Sequence, residues 1–128
     1  MTLVYYISPV GADDEYRRKR AVLASLASAR GVKFLFPLER NDEFSVGTAL
    51  EDIRRCSLVI ADLSLERPSC YFEVGLAQAI PRHVVLVAAE GTVVHQAGGT
   101  EQIMTYRDLD SYRVVIEVAL DHIRAYDA

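Results

Sequence analysis

Two carboxylates stand out in the sequence because of where they fall in its predicted elements. Glu73 lies on the otherwise apolar face of a predicted helix, with Cys70 three residues before it and Leu76 three residues after it. An unpaired buried charge is costly, so a carboxylate on that face indicates chemistry rather than stability. Asp62 directly follows the apolar run 58–61, which is typical of a buried strand.

Each carboxylate also has a plain structural interpretation. Glu73 can lie at the boundary of the apolar face and reach solvent, and Asp62 can cap a turn through bonds to nearby backbone. Considered together they are more informative, because one lies at a strand tip and the other on the first turns of the next helix. We therefore expect them to share a pocket. Paired carboxylates in different surroundings can divide the roles of acid and nucleophile or stabiliser, as in glycosidic-bond cleavage.

A short loop after the first predicted strand offers groups that suit a phosphate. Ser8 and Gly11 supply a hydroxyl and backbone N–H groups close to a helix N-terminus. Arg67 lies between the two carboxylates and is well placed for an anion. A plain turn and a surface arginine are the alternative interpretations. The sequence contains neither GxGxxG nor GxxxxGK[ST], so it does not support a dinucleotide or P-loop site.

Three further residue types are less informative. Tyr5 and Tyr6 alternate faces of their strand, so we expect one to enter the core and the other to help line the pocket. Cys70 is a weak candidate nucleophile, because no histidine is near it in sequence and a buried cysteine usually acts as a small hydrophobe. No group of cysteines and histidines has the spacing of a zinc site, so we expect no metal and no cofactor.

The elements that must position these residues alternate between strands and helices. The pattern predicts strands at 3–7, 32–36, 58–61, 84–88 and 103–106, and helices at 15–30, 48–55, 68–80 and from 108 onward. This alternation implies a flavodoxin-like α/β sandwich of three layers, with a four- or five-stranded, mostly parallel sheet in the order 2-1-3-4-5. Ligands of such sheets bind at the carboxyl ends of the strands, near the switch between strands 1 and 3.

The composition suits one folded domain over residues 1–128. The chain is 51% apolar and 25% charged, which argues against disorder, and its net charge of −4 argues against a general nucleic-acid binder. No apolar run reaches the ~18 residues of a membrane span, and no basic segment precedes the first apolar run as in a secretory signal. We therefore expect a cytoplasmic protein in which Cys56 and Cys70 are reduced thiols.

The middle of the sequence resembles the nucleoside 2-deoxyribosyltransferase-like superfamily. Residues 53–64, IRRCSLVIADLS, and residues 67–79, RPSCYFEVGLAQA, are similar to that superfamily's motif ADLVIADLT…NPNVYYELGIAHAL. Residues 5–11, YYISPVG, resemble its opening strand and loop. The likeness runs over most of the chain. It departs where the family's NPN reads RPS and its AHAL reads AQAI, which leaves the reaction type and the base open.

The resemblance implies cleavage or transfer at the N-glycosidic bond of a nucleoside or nucleoside 5′-monophosphate. It makes Glu73 the nucleophile and Asp62 the residue that positions the sugar or serves the leaving base. The aromatic residue of the first strand maps onto Tyr5, with Tyr6 as the offset alternative. The resemblance also implies a homodimer or higher homo-oligomer and assigns the 5′-phosphate to the first loop and the residues before the catalytic helix, which here are Ser8, Gly11, Arg67 and Ser69.

Two alternatives remain open. The pattern Cys70-x-x-Glu73-Val, preceded by a short strand, also resembles the catalytic helix of TIR domains, which implies cleavage of the nicotinamide–ribose bond of NAD. The other alternative is a catalytically silent nucleotide-binding or sensor module, in which Glu73 contacts a ligand without reacting. Turnover of a nucleotide panel separates the two, because a pure binder stabilises against heat but releases no base.

Overall fold

A computed structural model describes residues 2–39, 45–80, 83–95, 97–99 and 102–127, with side chains up to residue 123. Strands and helices alternate through these ranges, except that two strands follow one another before the last helix, as the sequence predicts. In chain order the elements are β1 (Thr2–Ile7), α1 (Tyr16–Arg30), β2 (Val32–Leu35), α2 (Val46–Arg55), β3 (Leu58–Asp62), α3 (Pro68–Ala79), β4 (Val84–Ala89), β5 (Met104–Tyr106) and α4 (Leu109–Asp127). Short 3₁₀ turns cover Pro37–Glu39 and Ser64–Glu66. No helix of the described ranges is both long and apolar enough to cross a membrane.

The strands form one parallel sheet in the order β2-β1-β3-β4-β5. This is the predicted flavodoxin-like order, and it is confirmed. The chain reverses its direction across the sheet between β1 and β3, which lie side by side with Ile7 opposite Ala61. Their carboxyl ends are therefore level, and the loops that follow them meet at one edge of the sheet.

Local signals in the sequence explain three of the helix boundaries. Gly31 ends α1 in the left-handed conformation at φ 67°, and its N–H bonds to the carbonyl of residue 27. Pro68 begins α3, where its missing N–H costs nothing. The predicted start of α2 at Thr48 is wrong by two residues, because the cap is Ser45, whose side chain accepts from the Thr48 N–H at 3.3 Å. Between β2 and α2, residues 40–44 lie outside the described residues.

Two apolar cores lie on the two faces of the sheet. One is shared with α1 and α4 and contains Tyr6 and Ile60; the other is shared with α2 and α3 and contains Tyr5 and Ala61. Neighbouring residues of a strand point to opposite faces, so the adjacent tyrosines enter different cores. Both cysteines carry thiols rather than a disulfide, and both are buried in the α2–α3 core.

Candidate active site

A carboxylate held by a phenol lies in the α2–α3 core. The Tyr5 hydroxyl donates a hydrogen bond of 2.6 Å to Oε2 of Glu73. Tyr5 is 0% exposed and Glu73 is 1% exposed. Tyr5 comes from β1 and Glu73 from the face of α3 that packs on the sheet, so the fold brings together residues far apart in sequence. A donor bonded to a carboxylate favours its charged form and fixes its direction.

The predicted phosphate-binding residues line a single cleft of about 320 Å³. Ser8 and Gly11 come from the loop after β1, and Arg67 and Ser69 come from the start of α3. Leu38 lines the cleft from the turn after β2. These segments meet because β1 and β3 are adjacent and parallel, so that their loops emerge at the same edge. The structure therefore brings together all four residues that the family resemblance assigns to a 5′-phosphate.

The cleft lies next to the carboxylate–phenol pair. Ser69, in the cleft wall, and Glu73 are four residues apart and share one face of α3. The helix rise places them about 6 Å apart along the axis. On the other side, Ser8 continues β1, in which Tyr5 points toward α3. The cleft and the Tyr5–Glu73 pair therefore adjoin each other at the carboxyl edge of the sheet.

Arg67 gives the cleft a positive charge. Its side chain is exposed, and it forms no ion pair with any acidic side chain of the described ranges. It is also the residue before the first turn of α3, whose free backbone N–H groups carry partial positive charge. The cation and the helix terminus together favour an anion in the cleft over a neutral group.

Asp62 faces away from Glu73. Residues 58 and 60 of β3 enter the α1–α4 core and residues 59 and 61 the α2–α3 core, so Asp62 points toward α1 and α4. There its carboxylate accepts from the Tyr106 hydroxyl at 2.7 Å and pairs with Lys19 Nζ at 3.4 Å. The expectation that the two carboxylates share a pocket is therefore wrong. The Asp62 side chain points to one face of the sheet, and the helix that carries Glu73 packs on the other face.

Cys70 lies within electrostatic reach of both carboxylates. Burial, followed by the charges of Asp62 and Glu73, raises the pKa of its thiol to about 12. The thiol is thus protonated at neutral pH, and only a thiolate is a good nucleophile. This agrees with the interpretation of Cys70 as a small buried hydrophobe.

Tyr6 does not join the cleft. It is 2% exposed in the α1–α4 core, where its hydroxyl is hydrogen-bonded to that of Tyr112 and its ring meets Phe34 edge-on at 6.1 Å. Burial and the Tyr112 hydroxyl raise the pKa of Tyr6 well above its usual value. Its expected role as a substrate contact is therefore corrected, because the period of the strand turns it to the wrong face. Of the two alternatives for the aromatic residue of the first strand, the geometry favours Tyr5.

A larger cleft, of about 610 Å³, opens on the α1–α4 side of the same sheet edge. Each basic side chain that lines it pairs with an acidic one, as Lys19–Asp13 at 2.6 Å, Arg18–Glu15 at 3.3 Å and Arg107–Glu90 at 4.0 Å. The charge of Arg67 is not matched in this way, so the smaller cleft is the better anion site.

Sequence reasoning missed Lys19, which is 6% exposed. It stands in a basic run that is typical of a solvated helix face. Its spacing to Leu23 and Leu26, four and seven residues further on, is the signal that places it on the buried face. As for metals, no three His, Cys, Asp or Glu side chains of the described ranges come together as a ligand set.

Solved structures of two kinds share this fold. The TIR domain of a Toll-related receptor from Hydra magnipapillata matches with a TM-score of 0.68 and 13% identity, over 94% of this chain and 97% of that one. A 2-deoxyribosyltransferase from Bacillus psychrosaccharolyticus matches at 0.64 and 13%, over 88% and 90%. The CMP N-glycosidase of Clostridium botulinum matches at 0.59 and 16%, over 91% and 99%.

A 2-deoxyribosyltransferase from Leishmania mexicana is 23% identical, with a TM-score of 0.58 over 70% of this chain. This chain covers 66% of that one, just under two thirds of its length. No family model matches the chain, and no curated protein sequence matches it. The likeness at these identities is one of fold. It confirms the flavodoxin-like α/β class, and the solved structures include both groups that the sequence motifs resemble.

Proposed function

We propose that this protein cleaves the N-glycosidic bond of a nucleoside 5′-monophosphate or nucleoside, with Glu73 as the nucleophile. The observation that carries the proposal is the Tyr5–Glu73 pair next to a cleft lined by Arg67. An oriented carboxylate suits attack on an anomeric carbon, and an unmatched cation beside a helix N-terminus suits a phosphate. The site thus offers one group for each end of a ribose 5-phosphate unit.

The reaction would proceed in two displacements. A carboxylate oxygen of Glu73 forms a bond to the anomeric carbon while the C–N bond breaks, and the electron pair leaves with the base, which takes up a proton from solvent. Water, or a second base, then attacks the same carbon and loses a proton to solvent, while the bond to Glu73 breaks and its electron pair returns to the carboxylate. Water makes the enzyme a hydrolase and a base makes it a transferase. Glu73 is 1% exposed, so the proposal requires the cleft lining to open for the sugar.

Base release from a substrate panel tests the proposal. The panel contains ribo- and deoxyribonucleosides, their 5′-monophosphates and NAD, with and without a free acceptor base, and products are separated by liquid chromatography. We expect Glu73→Gln to lose about a thousandfold or more in rate while its circular dichroism stays unchanged. Glu51→Gln is the matched control, since Glu51 is an exposed glutamate of α2. Full activity of Glu73→Gln would overturn the mechanism.

The same panel decides between the alternatives. Release only in the presence of an acceptor base identifies a transferase, and release without one identifies a hydrolase. Nicotinamide release from NAD would favour the TIR-like alternative. The fold match to a TIR domain, with a TM-score of 0.68, agrees with that alternative. If no substrate is cleaved but a nucleotide raises the melting temperature, the nucleotide-binding module replaces the enzyme. We also propose a homodimer or higher homo-oligomer, which light scattering tests by mass.

A further inference from the structure

The loop between β3 and α3, residues 63–67, joins Asp62 to the cleft residue Arg67. Its first turn is held from the α1–α4 side of the sheet. The Ser64 N–H donates to Asp62 Oδ1 at 3.0 Å, the Ser64 hydroxyl lies 2.9 Å from that of Tyr106, and the Ala89 N–H donates to the Ser64 hydroxyl at 2.7 Å. Ser64 is thus fixed to the ends of three neighbouring strands.

Tyr106 is the centre of this arrangement. Its hydroxyl donates to Asp62 Oδ2 at 2.7 Å and accepts from Lys19 Nζ at 2.6 Å. Lys19 in turn donates to Asp13 Oδ2 at 2.6 Å. Asp13 directly follows the cleft residues 8–12, and Ser64 lies three residues before Arg67. One buried network therefore connects the base of one cleft wall to the base of the other.

The loop backbone depends on such anchors. Leu65 and Glu66 adopt left-handed conformations, with φ of 68° and 47°, which non-glycine residues avoid. Residues in such conformations persist only where their surroundings hold them. Ser64 is held as described, and Glu66 accepts from the Tyr71 hydroxyl at 2.8 Å. Release of the Ser64 end would let the loop relax and move Arg67.

We propose that Tyr106 and Lys19, acting through Asp62 and Ser64, are positioning residues that set the distance between the two walls of the anion cleft. They touch no substrate, because they lie on the opposite face of the sheet from Glu73 and Tyr5. This inference rests on the proposed function in one respect, the binding of a 5′-phosphate between Arg67 and loop 8–12. It gives Asp62 a role in holding the loop, in place of contact with the sugar or base.

Tyr106→Phe tests the inference, because it removes the hydroxyl and keeps the ring. The expected result is a rise of about tenfold in KM for a nucleoside 5′-monophosphate, because the hydrogen bonds of the Tyr106 hydroxyl to Lys19 and Asp62 are lost. The kcat, and kcat/KM for the nucleoside without phosphate, should stay within about twofold of the wild type, since the Tyr5–Glu73 pair is on the other face. The preference for nucleotide over nucleoside should therefore fall.

Tyr112→Phe is the matched control. It also removes a buried hydroxyl from the same core, but that hydroxyl pairs with Tyr6 and not with the loop. Melting temperatures of both variants show the purely structural cost. The inference is overturned if Tyr106→Phe lowers nucleotide and nucleoside turnover equally, or if the two variants have the same nucleotide preference.

Calorimetry with inorganic phosphate separates this inference from the proposed function. If the wild type binds phosphate but cleaves nothing, the proposed function fails, while the inference still requires Tyr106→Phe to bind phosphate about tenfold more weakly than Tyr112→Phe. Equal affinities would overturn it. If the wild type binds no phosphate, there is no anion cleft to position, and the inference is wrong.

Discussion

Tyr5 and Glu73 are bonded at 2.6 Å across two elements that are 68 positions apart in the sequence. The strand supplies the donor and the helix supplies the acceptor, and both are buried. The phenol donor gives the buried carboxylate a defined direction and favours its charged form, which burial alone disfavours. A carboxylate nucleophile requires both properties, and the Tyr5 hydroxyl contributes to both.

Tyr5→Phe should therefore lower activity most strongly in acid. Loss of the donor disfavours the charged carboxylate, so the pH of half-maximal activity should rise and the rate at pH 5 should fall more than the rate at pH 8. A hydrogen bond to a charged group contributes about 1.5–3 kcal/mol, which predicts a loss of roughly tenfold or more at low pH. A pH–rate profile of base release measures the shift. An equal loss at all pH values would contradict the charge effect and leave the hydroxyl only the role of orienting Glu73, and no loss at any pH would show that Tyr5 only fills space.

Arg67→Ala should selectively weaken the binding of substrates that carry a phosphate. Its guanidinium lines the cleft without an acidic partner in the described ranges, so its removal deletes the main charge for a 5′-phosphate. We expect KM for a monophosphate to rise by about tenfold to a hundredfold, with the matching nucleoside within about twofold. Arg67→Lys should recover part of the loss, because it keeps the charge but not the planar fork.

Arg17→Ala is the control for Arg67→Ala, since Arg17 is an exposed arginine of α1 that lines neither cleft. It should leave the kinetics of both substrates unchanged. Parallel losses for nucleotide and nucleoside in Arg67→Ala would reject the phosphate role.

The native thiols should resist modification. Cys56 and Cys70 are buried thiols that form no disulfide with each other, and burial with the charges of Asp62 and Glu73 raises the pKa of Cys70 to about 12. At pH 8 an aromatic disulfide reagent should react with the folded protein at least about a hundredfold more slowly than with protein in urea. In urea two thiols per chain should react. Rapid loss of activity on alkylation of the folded protein would revive Cys70 as the nucleophile.

The sequence was sufficient for the fold because its signals are local. Apolar runs, Gly31 and Pro68 mark elements within a few residues of where they lie. The site could be predicted only in part. The motif singled out Glu73 and Arg67, but a motif records position along the chain and not the face on which a side chain lies.

The faces were decided by tertiary pairing that spacing alone does not reveal. Strand periodicity shows that Tyr5 and Tyr6 point to opposite sides, but the side next to Glu73 depends on which face α3 covers. Asp62 was misplaced for the same reason. Its partner Lys19 comes from α1 and its partner Tyr106 from β5. Each is more than forty residues from Asp62 in the sequence, so no local pattern connects them.

Stability should fall in strongly alkaline solution. Burial alone lowers the pKa of Lys19, but the charge of Asp62 and the hydrogen bonds to Asp13 and Tyr106 outweigh it and leave the pKa raised. Burial first, and then the charge of Asp62, raises the pKa of Tyr106 as well. Groups whose pKa is raised in the folded state stabilise it fully below their unfolded values, about 10.4 for Lys and 10 for Tyr. That contribution is lost as the pH rises above those values.

We therefore expect Lys19 and Tyr106 to cause no change in the free energy of unfolding from pH 7 to about 9. Above about pH 10 the free energy of unfolding should decrease. Urea titrations at each pH measure it. Absorbance at 295 nm should show that the phenols of Tyr6, Tyr106 and Tyr112 ionise only above the range of free tyrosine. An increase in stability between pH 9 and 11 would contradict the assignment of these groups.

Lys19→Met should destabilise the protein far more than loss of a surface ion pair. It leaves the fully buried carboxylate of Asp62 without its ammonium, and breaking a buried pair on one side costs about 3–5 kcal/mol. Arg30→Met is the matched substitution, since Arg30 pairs with Asp121 at 2.8 Å near the surface and such pairs contribute about 0–1 kcal/mol. Urea unfolding at pH 7 compares the two.

The double variant Lys19→Met with Asp62→Asn separates a charge effect from a packing effect. If the cost of Lys19→Met is the uncompensated carboxylate, neutralising Asp62 should restore part of the lost stability, because the amide keeps a carbonyl to accept from Ser64 or Tyr106. If the cost is lost packing of the lysine stem, the double variant should be no more stable than Lys19→Met. Lys19→Met and Arg30→Met could instead lower the free energy of unfolding by the same amount. That result would show that water already solvates Asp62, and that the network beneath the cleft is weaker than its distances indicate.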